Sequence, residues 1–298
     1  MFRDWIEAAR PKTLPAAVVP ILVGTAEAKR MGFFDWWPVL ICLVFALLVQ
    51  IATNMANDYY DHVRGADTQE RVGPERLVAS GRIEPIKMLR ASLVVFLLAF
   101  LIGLNLVAYR DWSLLVVGVV SIIFGYGYTG GPFPLAYRGL GDVFVIFFFG
   151  LVATMGTVYV IVGTLTVESA YLGIMLGLLA NNILVVNNYR DRDTDLKAGK
   201  LTLIARWGRN FGLAQYRLQL MVAFLSLGLY VAATENAWHS LPFLAFPVGL
   251  KLASVLEKTE GPALNGVLAK TAAFLLLVGV LLGGAVFVSV AVSSSFRP

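Results

Sequence analysis

Two short segments of this sequence place asparagine and aspartate at a spacing that suits a divalent cation. The first runs from Asn54 to Asp67 and the second from Asn187 to Asp195. Positions i, i+4 and i+7 or i+8 of an α-helix share one face. The residues that share a face are Asn54, Asp58 and Asp61 in the first segment, and Asn187, Asp191 and Asp195 in the second. Neighbouring carboxylates repel each other and the C-terminal end of a helix is itself partly negative, so both patterns favour a bound cation.

The ligand atoms of these segments predict magnesium. Oxygen donors favour Mg²⁺ over Zn²⁺ or copper, and Mg²⁺ typically binds one or two carboxylates together with substrate phosphate. Two such clusters facing each other would hold a diphosphate between metal ions, with arginine and lysine side chains completing its neutralisation. A single cluster would be explained equally well as solvated residues that cap a helix end. Its repetition in matching order favours the metal site.

Aromatic and histidine residues near these segments have simpler explanations. Six tyrosines fall near the same ends of the predicted helices: Tyr59, Tyr60, Tyr126, Tyr128, Tyr137 and Tyr189. Most are expected in the aromatic belt of a membrane interface, and a minority would line a pocket in which their faces stabilise a carbocation. His62 and His239 lack a second histidine at metal-ligand spacing, so we expect structural roles for both.

The elements that position these residues are predicted to be transmembrane helices. The chain has 298 residues, of which 58% are hydrophobic and 14% charged, which is too apolar for an ordinary soluble domain. Apolar runs long enough to cross about 30 Å of hydrocarbon occur near 12–28, 36–60, 86–108, 113–130, 141–163, 169–189, 212–234, 239–257 and 269–292. The prediction is an all-α integral membrane protein with about nine transmembrane helices, forming one domain over residues 1–298.

Charge predicts the orientation of these helices. With nine spans, all but four of the 24 lysine and arginine residues fall on the side that holds the N-terminus and both Asn/Asp segments; the exceptions are Lys29, Arg30, Arg110 and Arg297. The positive-inside rule therefore predicts a cytoplasmic N-terminus, cytoplasmic active-site loops and an external C-terminus. Because the basic residues are confined to membrane-edge loops, the net charge of +5 does not indicate nucleic-acid binding.

The motifs resemble those of the UbiA superfamily of intramembrane aromatic prenyltransferases, which carry one Asn/Asp motif after the second span and another after the sixth. The resemblance covers nearly the whole chain and is strongest at residues 9–16, 57–67, 71–74, 128–134 and 187–203. Gly65 stands where the broad superfamily pattern has aspartate, and Asp67 follows two residues later. This departure resembles the branch that prenylates 1,4-dihydroxy-2-naphthoate.

The resemblance implies a helical bundle around a central cavity open to lipid, in a bacterial cytoplasmic membrane. A polyprenyl diphosphate would ionise with the help of Mg²⁺, and the ring of 1,4-dihydroxy-2-naphthoate would attack the allylic cation. Loss of CO₂ would then give demethylmenaquinone. The implied metal ligands and catalytic residues are Asp58, Asp61, Asp191 and Asp195. The implied substrate-binding residues are Lys12, Asn54, Asn57, Asp67, Tyr128, Arg138, Asn187, Asn188, Arg190 and Lys200.

Two alternatives remain open from the sequence. A related enzyme would prenylate another aromatic acceptor, such as 4-hydroxybenzoate. A membrane transporter would also combine ionisable residues with helices broken by glycine and proline. A carrier is expected to place its acidic residues near the middle of the bilayer, whereas the Asn/Asp segments lie at the predicted cytoplasmic ends of their helices.

Overall fold

The computed structural model describes residues 2–67 and 72–295, with side chains described as far as Val292. Regular structure in these ranges is helical. The α-helices are α1 (Phe2–Ala9), α2 (Pro15–Arg30), α3 (Trp36–Val63), α4 (Pro85–Tyr109), α5 (Ser113–Tyr126), α6 (Gly141–Val145), α7 (Ala153–Val162), α8 (Val167–Lys197), α9 (Leu203–Thr234), α10 (Phe246–Glu257) and α11 (Leu264–Ser295). A π-helical segment, Ile146–Val152, joins α6 to α7 in one continuous rod.

Seven helical rods of the described chain are long and apolar enough to cross a membrane. They are Trp36–Val63, Pro85–Tyr109, Gly141–Val162, Val167–Lys197, Leu203–Thr234, Ala237–Glu257 and Gly261–Val292. The protein is therefore an integral membrane protein of the all-α class. The predicted number of nine spans is not confirmed, because the other two predicted spans correspond to the shorter helices α2 and α5. These have 16 and 14 residues, or about 24 and 21 Å at 1.5 Å per residue.

The helix that corresponds to the first predicted span begins later than the predicted start at residue 12. Residues 11–13 form a 3₁₀ turn, and α2 starts at Pro15, where proline costs no helical hydrogen bond. Pro20 lies inside α2 without ending it. Most of α2 is buried, and it packs against α7 and α11 rather than standing at the lipid surface.

The largest hydrophobic core joins α2, α8, α9, α10 and α11, with Leu176, Tyr216 and Leu275 fully buried at its centre. The π-helical segment approaches α8 closely through glycine. A Cβ atom on Gly150 would lie 2.3 Å from the Gly173 carbonyl oxygen and 2.7 Å from the Gly177 Cα atom. Backbone therefore contacts backbone at this crossing, which places α6 and α7 beside the N-terminal half of α8.

The segment from 72 to 84, which we call the roof loop, covers the C-terminal end of α3. Leu77 and Val78 are buried against Ala8 of α1 and Met55 of α3. On the outer side, Arg82 pairs with Asp4 and Glu7 of α1. The amphipathic α1 and the roof loop thus support each other over the helix end that carries the first Asn/Asp motif.

Candidate active site

The two motif-bearing helices end in the same way. In α3 the Ala66 amide donates to the Asp61 carbonyl, and in α8 the Lys200 amide donates to the Asp195 carbonyl, both at 2.8 Å. A glycine with positive φ precedes each donor: Gly65 at 72° and Gly199 at 69°. This is the six-to-one hydrogen bond of a Schellman cap, which glycine permits because it adopts the left-handed conformation readily. Both motif helices thus end in the same kind of cap, with Asp61 and Asp195 at the same position in it.

A cavity of about 300 Å³ lies between the helices, and its lining includes residues of both Asn/Asp motifs. Its polar lining consists of Arg10, Thr13, Gln50, Thr53, Asn54, Asn57, Asp61, Arg76, Ser121, Tyr128, Thr129, Asp142, Thr157, Asn187, Asn188, Lys200 and Thr202. The remaining wall is mainly apolar and includes Phe45, Leu106, Leu114, Phe144 and Phe148. Such a cavity suits a ligand with a charged head and a long hydrocarbon tail.

The α3 motif is buried and held by its surroundings. Asn54, Asp58 and Asp61 have 4%, 2% and 1% of their surface exposed. Asn54 and Asp61 line the cavity together with Asn57, whereas Asp58 does not. The Asn54 side-chain amide donates to the Ala9 carbonyl at 3.0 Å, and the Thr129 hydroxyl donates to Asn57 Oδ1 at 2.7 Å.

Asp58 anchors the roof loop. Its two carboxylate oxygens accept hydrogen bonds from the backbone amides of Leu77 at 3.3 Å and Val78 at 3.4 Å. The first motif therefore does two things: it presents Asp61 and Asn57 to the cavity, and it holds the loop above them.

Asp61 is the centre of a buried charge network. It accepts from the Tyr137 hydroxyl at 2.9 Å, and it pairs with Arg76 and Lys200, each at 3.4 Å. Lys200 also lies 4.0 Å from Asp195, so one ammonium group joins the two motifs. Arg76 similarly lies 3.4 Å from Asp67.

The two tyrosines beside this network stay protonated at neutral pH. Burial, with Asp61 next to the hydroxyl, raises the pKa of Tyr137 well above its usual range. Burial, together with the charges of Asp142 and Asp61, raises the pKa of Tyr128 in the same way. Both side chains therefore offer neutral hydroxyls and aromatic faces rather than phenolate nucleophiles.

The α8 motif forms a second network around Arg190. Its guanidinium group makes two 2.7 Å hydrogen bonds to Asp191 and 2.8 Å bonds to the side-chain oxygens of Asn187 and Asn265. The Asn265 amide donates in turn to the Val72 carbonyl at 3.3 Å. Arg190 thus links α8, α11 and the roof loop in one buried cluster.

The structure brings only part of the predicted site residues to the cavity lining: Asn54, Asn57, Asp61, Tyr128, Asn187, Asn188 and Lys200. Outside the lining, in the interactions described above, are Asp58, Asp67, Asp191, Asp195 and Arg190. Lys12 and Arg138 are exposed and also lie outside it; Arg138 stacks on the Phe133 ring at 3.7 Å. Juxtamembrane cations are common for topological reasons, and here two of them stay at the surface. Of the motif segment 71–74, Arg71 lies outside the described residues.

Sequence similarity identifies the family of this chain. The UbiA prenyltransferase family matches residues 17–263. The chain belongs to the UbiA prenyltransferase family. It is 37% identical to the 1,4-dihydroxy-2-naphthoate octaprenyltransferase of Escherichia coli (strain K12) over 96% of this chain and 95% of that one. It is 35% identical to the enzyme of the same name from Mycobacterium leprae, over 95% and 96%.

Solved structures agree with this fold. A UbiA homologue from Archaeoglobus fulgidus, bound to GPP and Mg²⁺, superposes with a TM-score of 0.68 at 13% identity, covering 96% of this chain and 99% of that one. The UbiA-type bundle around a central cavity, predicted from the motifs, is thus confirmed.

The donor chemistry of this UbiA-family site fits Mg²⁺. Among the described residues, no three or more His, Cys, Asp and Glu side chains come close enough to hold a metal by themselves. Mg²⁺ does not require such a cage, since one or two carboxylates, water and substrate phosphate satisfy it. Asp61, Asn57 and Asn187 supply oxygen atoms at the polar end of the cavity. Asp58, Asp191 and Asp195 stand buried behind this wall.

Several residues of the UbiA-family cavity were missed by the motif analysis. Phe124, Phe144 and Phe148 form an aromatic cluster on its wall, with Phe124 ring centroids 4.6 and 5.7 Å from the other two. Asp142 is a buried carboxylate on the same wall. The sequence contained a signal for Asp142. An acidic residue at the edge of a predicted transmembrane span is energetically unfavourable, so it marks a candidate functional position.

Proposed function

We propose that this protein transfers a prenyl group from a polyprenyl diphosphate to 1,4-dihydroxy-2-naphthoate with loss of CO₂, giving demethylmenaquinone in menaquinone biosynthesis. The observation that carries the proposal is the cavity itself. Asp61 and the carboxamides of both Asn/Asp motifs line it together with Arg76 and Lys200, and apolar side chains form most of the remaining wall. Family membership and the similarity to 1,4-dihydroxy-2-naphthoate octaprenyltransferases over nearly the whole chain support the choice of donor and acceptor.

In this proposal Asp58, Asp61, Asp191 and Asp195 are the residues that hold Mg²⁺. Asn54, Asn57, Asn187 and Asn188 orient the diphosphate and its metal ions. When bound, Mg²⁺ would supply positive charge that makes diphosphate a better leaving group.

The protein's own cations assist departure of the diphosphate. Arg76 and Lys200 now pair with Asp61, and a diphosphate in the cavity would offer them a more highly charged partner. We expect Arg190, which donates to the cavity-lining Asn187, to act similarly once a phosphate competes with Asp191. Preorganised charge of this kind lowers the barrier most when it faces the atoms on which negative charge develops.

The rest of the cavity protects the allylic cation. Tyr128 and the cluster of Phe124, Phe144 and Phe148 present aromatic faces without a reactive nucleophile. Apolar side chains further along the cavity accommodate the tail and exclude water, so that the naphthoate ring is the nucleophile within reach.

The proposal also includes the setting of the enzyme. Residues 1–298 act as one domain in a bacterial cytoplasmic membrane, with the N-terminus and the diphosphate end of the cavity facing the cytoplasm. The supporting observation is the concentration of lysine and arginine on that side.

The direct test is prenylation by the purified protein in nanodiscs. Geranylgeranyl diphosphate and 1,4-dihydroxy-2-naphthoate are supplied with Mg²⁺ or EDTA, and products are identified by mass spectrometry. We expect a decarboxylated prenyl naphthoquinone that disappears with EDTA and in Asp58→Ala and Asp191→Ala. Prenylation of 4-hydroxybenzoate instead would keep the family chemistry and contradict the proposed acceptor. Absence of prenylation from a folded wild-type protein would contradict the proposal as a whole.

A further inference from the structure

Asp142 is a buried carboxylate that has no role in the proposed reaction as described above. It lies in the first turn of α6 and has 5% of its surface exposed, yet it forms part of the cavity wall together with Asp61 and Tyr128. It belongs to neither Asn/Asp motif. In the described chain, no arginine or lysine pairs with it within 4.0 Å.

Two carboxamides fix the orientation of this carboxylate. Asn181 Nδ2 of α8 donates to Asp142 Oδ1 at 3.0 Å, and Gln215 Nε2 of α9 donates to the same oxygen at 2.6 Å. Among the described residues, no side chain donates to the second carboxylate oxygen, Asp142 Oδ2. One oxygen is therefore held in place while the other has acceptor capacity to spare.

A purely structural role explains this arrangement poorly. Burying a carboxylate costs more than burying a neutral side chain unless a partner compensates it. The side-chain carbonyl oxygens of Asn181 and Gln215 are themselves buried without a hydrogen-bond partner in the described structure. Neutral side chains that hydrogen-bond to one another would connect the three helices at a lower desolvation cost. The cluster places a carboxyl group on the cavity wall and leaves part of its own hydrogen-bonding capacity unused.

The position of Asp142 suits the acceptor rather than the diphosphate. A Cβ atom on Gly141 would lie 2.8 Å from the Tyr128 hydroxyl, so Tyr128 stands directly against the start of α6. Tyr128 also experiences the charges of both Asp142 and Asp61. A phosphate would be repelled by a carboxylate that has no metal or cation beside it, whereas a neutral hydroxyl group would donate to it.

We propose that the Asp142 carboxylate accepts a hydrogen bond from a ring hydroxyl of the aromatic acceptor, and that Asn181 and Gln215 position it for this contact. The inference rests on the proposed function, because it deepens the account of the acceptor. A charge-assisted hydrogen bond of this kind orients the ring beside the allylic carbon and enriches it in electron density. Asp142 is thus a specificity determinant for hydroxylated aromatic acids.

The test compares acceptors that differ in one hydroxyl. The wild-type protein and Asp142→Asn are assayed in nanodiscs for the KM of each substrate and for inhibition by 1-hydroxy-2-naphthoate and 4-hydroxy-2-naphthoate, each of which lacks one hydroxyl. We expect the variant to raise the KM of the dihydroxy acceptor about 10- to 100-fold, as for loss of a hydrogen bond to a charged group. The KM of the diphosphate should not change. The wild-type preference for the dihydroxy compound over one of the two analogues should disappear.

Matched variants separate this role from folding. Asp111→Asn neutralises a carboxylate that also accepts two hydrogen bonds, from Tyr159 and Ser113, but lies outside the cavity lining; it should keep the wild-type KM and preference. Gln215→Leu retains the carboxylate and removes one donor, so it should raise the acceptor KM to a smaller extent. This variant decides the matter if Asp142→Asn does not fold.

The outcomes are distinguishable from failure of the proposed function. An Asp142→Asn protein, or in its place Gln215→Leu, that keeps both the acceptor KM and the hydroxyl preference would overturn the inference while the reaction stands. If the wild-type protein prenylates 4-hydroxybenzoate instead, the proposed acceptor is wrong. The role of Asp142 is then tested on the same plan, with benzoate as the analogue that lacks the hydroxyl.

Discussion

Lys200 occupies the position where the two halves of the site meet. Its ammonium group lies 3.4 Å from Asp61 and 4.0 Å from Asp195, and the Schellman cap of α8 fixes its backbone. Removing this cation leaves two buried carboxylates without a shared counter-charge, so diphosphate must approach a more negative cavity.

Lys200→Met should weaken binding of the prenyl diphosphate. Loss of a hydrogen-bonding cation corresponds to about a 10- to 100-fold rise in the dissociation constant, measured with a non-hydrolysable diphosphate analogue. Lys200→Arg should restore part of the affinity, because the charge returns with a different shape. The matched control is Lys258→Met, at an exposed lysine outside the cavity lining. Equal affinities for wild type and Lys200→Met would remove Lys200 from the proposed diphosphate site.

At the residue level, helical periodicity placed Asn54, Asp58 and Asp61 on one face, and all three are buried. Periodicity did not separate Asn54 and Asp61, which line the cavity, from Asp58, which binds the roof loop. Periodicity does not say which of many juxtamembrane cations point inward, and Lys12 and Arg138 stay at the surface. The setting of Asp142 depends on Asn181 and Gln215, 39 and 73 residues away along the chain, and local pattern contains no information on such contacts.

At the level of elements, the contact between the π-helical segment and α8 depends on glycine. Gly150→Ala would place a Cβ atom 2.3 Å from the Gly173 carbonyl oxygen, and backbone at a helix crossing has little room to move. We expect destabilisation of about 1–3 kcal/mol, typical of overpacking, seen as a lower melting temperature in detergent. Gly283→Ala in α11 is the control, because its Cβ atom would meet nothing within 4 Å. Equal melting temperatures for the two variants would contradict this close approach.

The roof loop should influence the site through Gly73. A Cβ atom there would lie 2.7 Å from Arg190 Nη2, whose guanidinium group already holds Asp191 and Asn187. Since the obstacle is the end of a long side chain, we expect Gly73→Ala to fold with an unchanged melting temperature. The displaced guanidinium should raise the diphosphate dissociation constant several-fold. The same constant in Gly73→Ala and wild type would show that Arg190 moves aside without consequence; Gly266→Ala, with open space around it, serves as control.

Elements were predictable where a long apolar run dominates. Composition predicts the rods that span Trp36–Val63 and Pro85–Tyr109 nearly to their ends. The same criterion predicts α2 to be a full transmembrane span, because hydropathy does not distinguish a short buried helix from one that faces lipid. The π-helical segment was not predicted, because hydropathy does not distinguish the hydrogen-bonding pattern of a π-helix from that of an α-helix.

For the whole molecule, the length of the cavity is the property that matters. Asp61 and Cys42 both line it, and they lie on the same helix about 28 Å apart at 1.5 Å per residue, close to the thickness of the hydrocarbon core. Cys42 is the chain's single cysteine, so its alkylation reports on the apolar end alone. All-α class and membrane location followed from composition, whereas the path of this cavity depends on how distant helices pack.

Occupancy of the cavity should protect Cys42 in proportion to tail length. We expect a membrane-permeant maleimide to label the wild-type protein slowly, and a long polyprenyl diphosphate with Mg²⁺ to slow it further. Dimethylallyl diphosphate should bind at the Asp61 end without protecting the thiol. Labelling is measured by intact-protein mass spectrometry, with Cys42→Ser as the blank. Equal protection by short and long tails would contradict a tail path along α3.

The apolar wall that accommodates the tail has a second consequence, which concerns fidelity. An allylic cation formed beside Asp61 can be captured by the acceptor ring or by a stray water molecule, and the second route releases a free prenyl alcohol. The aromatic cluster on α5, α6 and the π-helical segment stands on this wall. We therefore expect the packing of this cluster to determine the ratio of prenyl alcohol to prenylated acceptor. This ratio is an error rate, distinct from both substrate affinity and reaction rate.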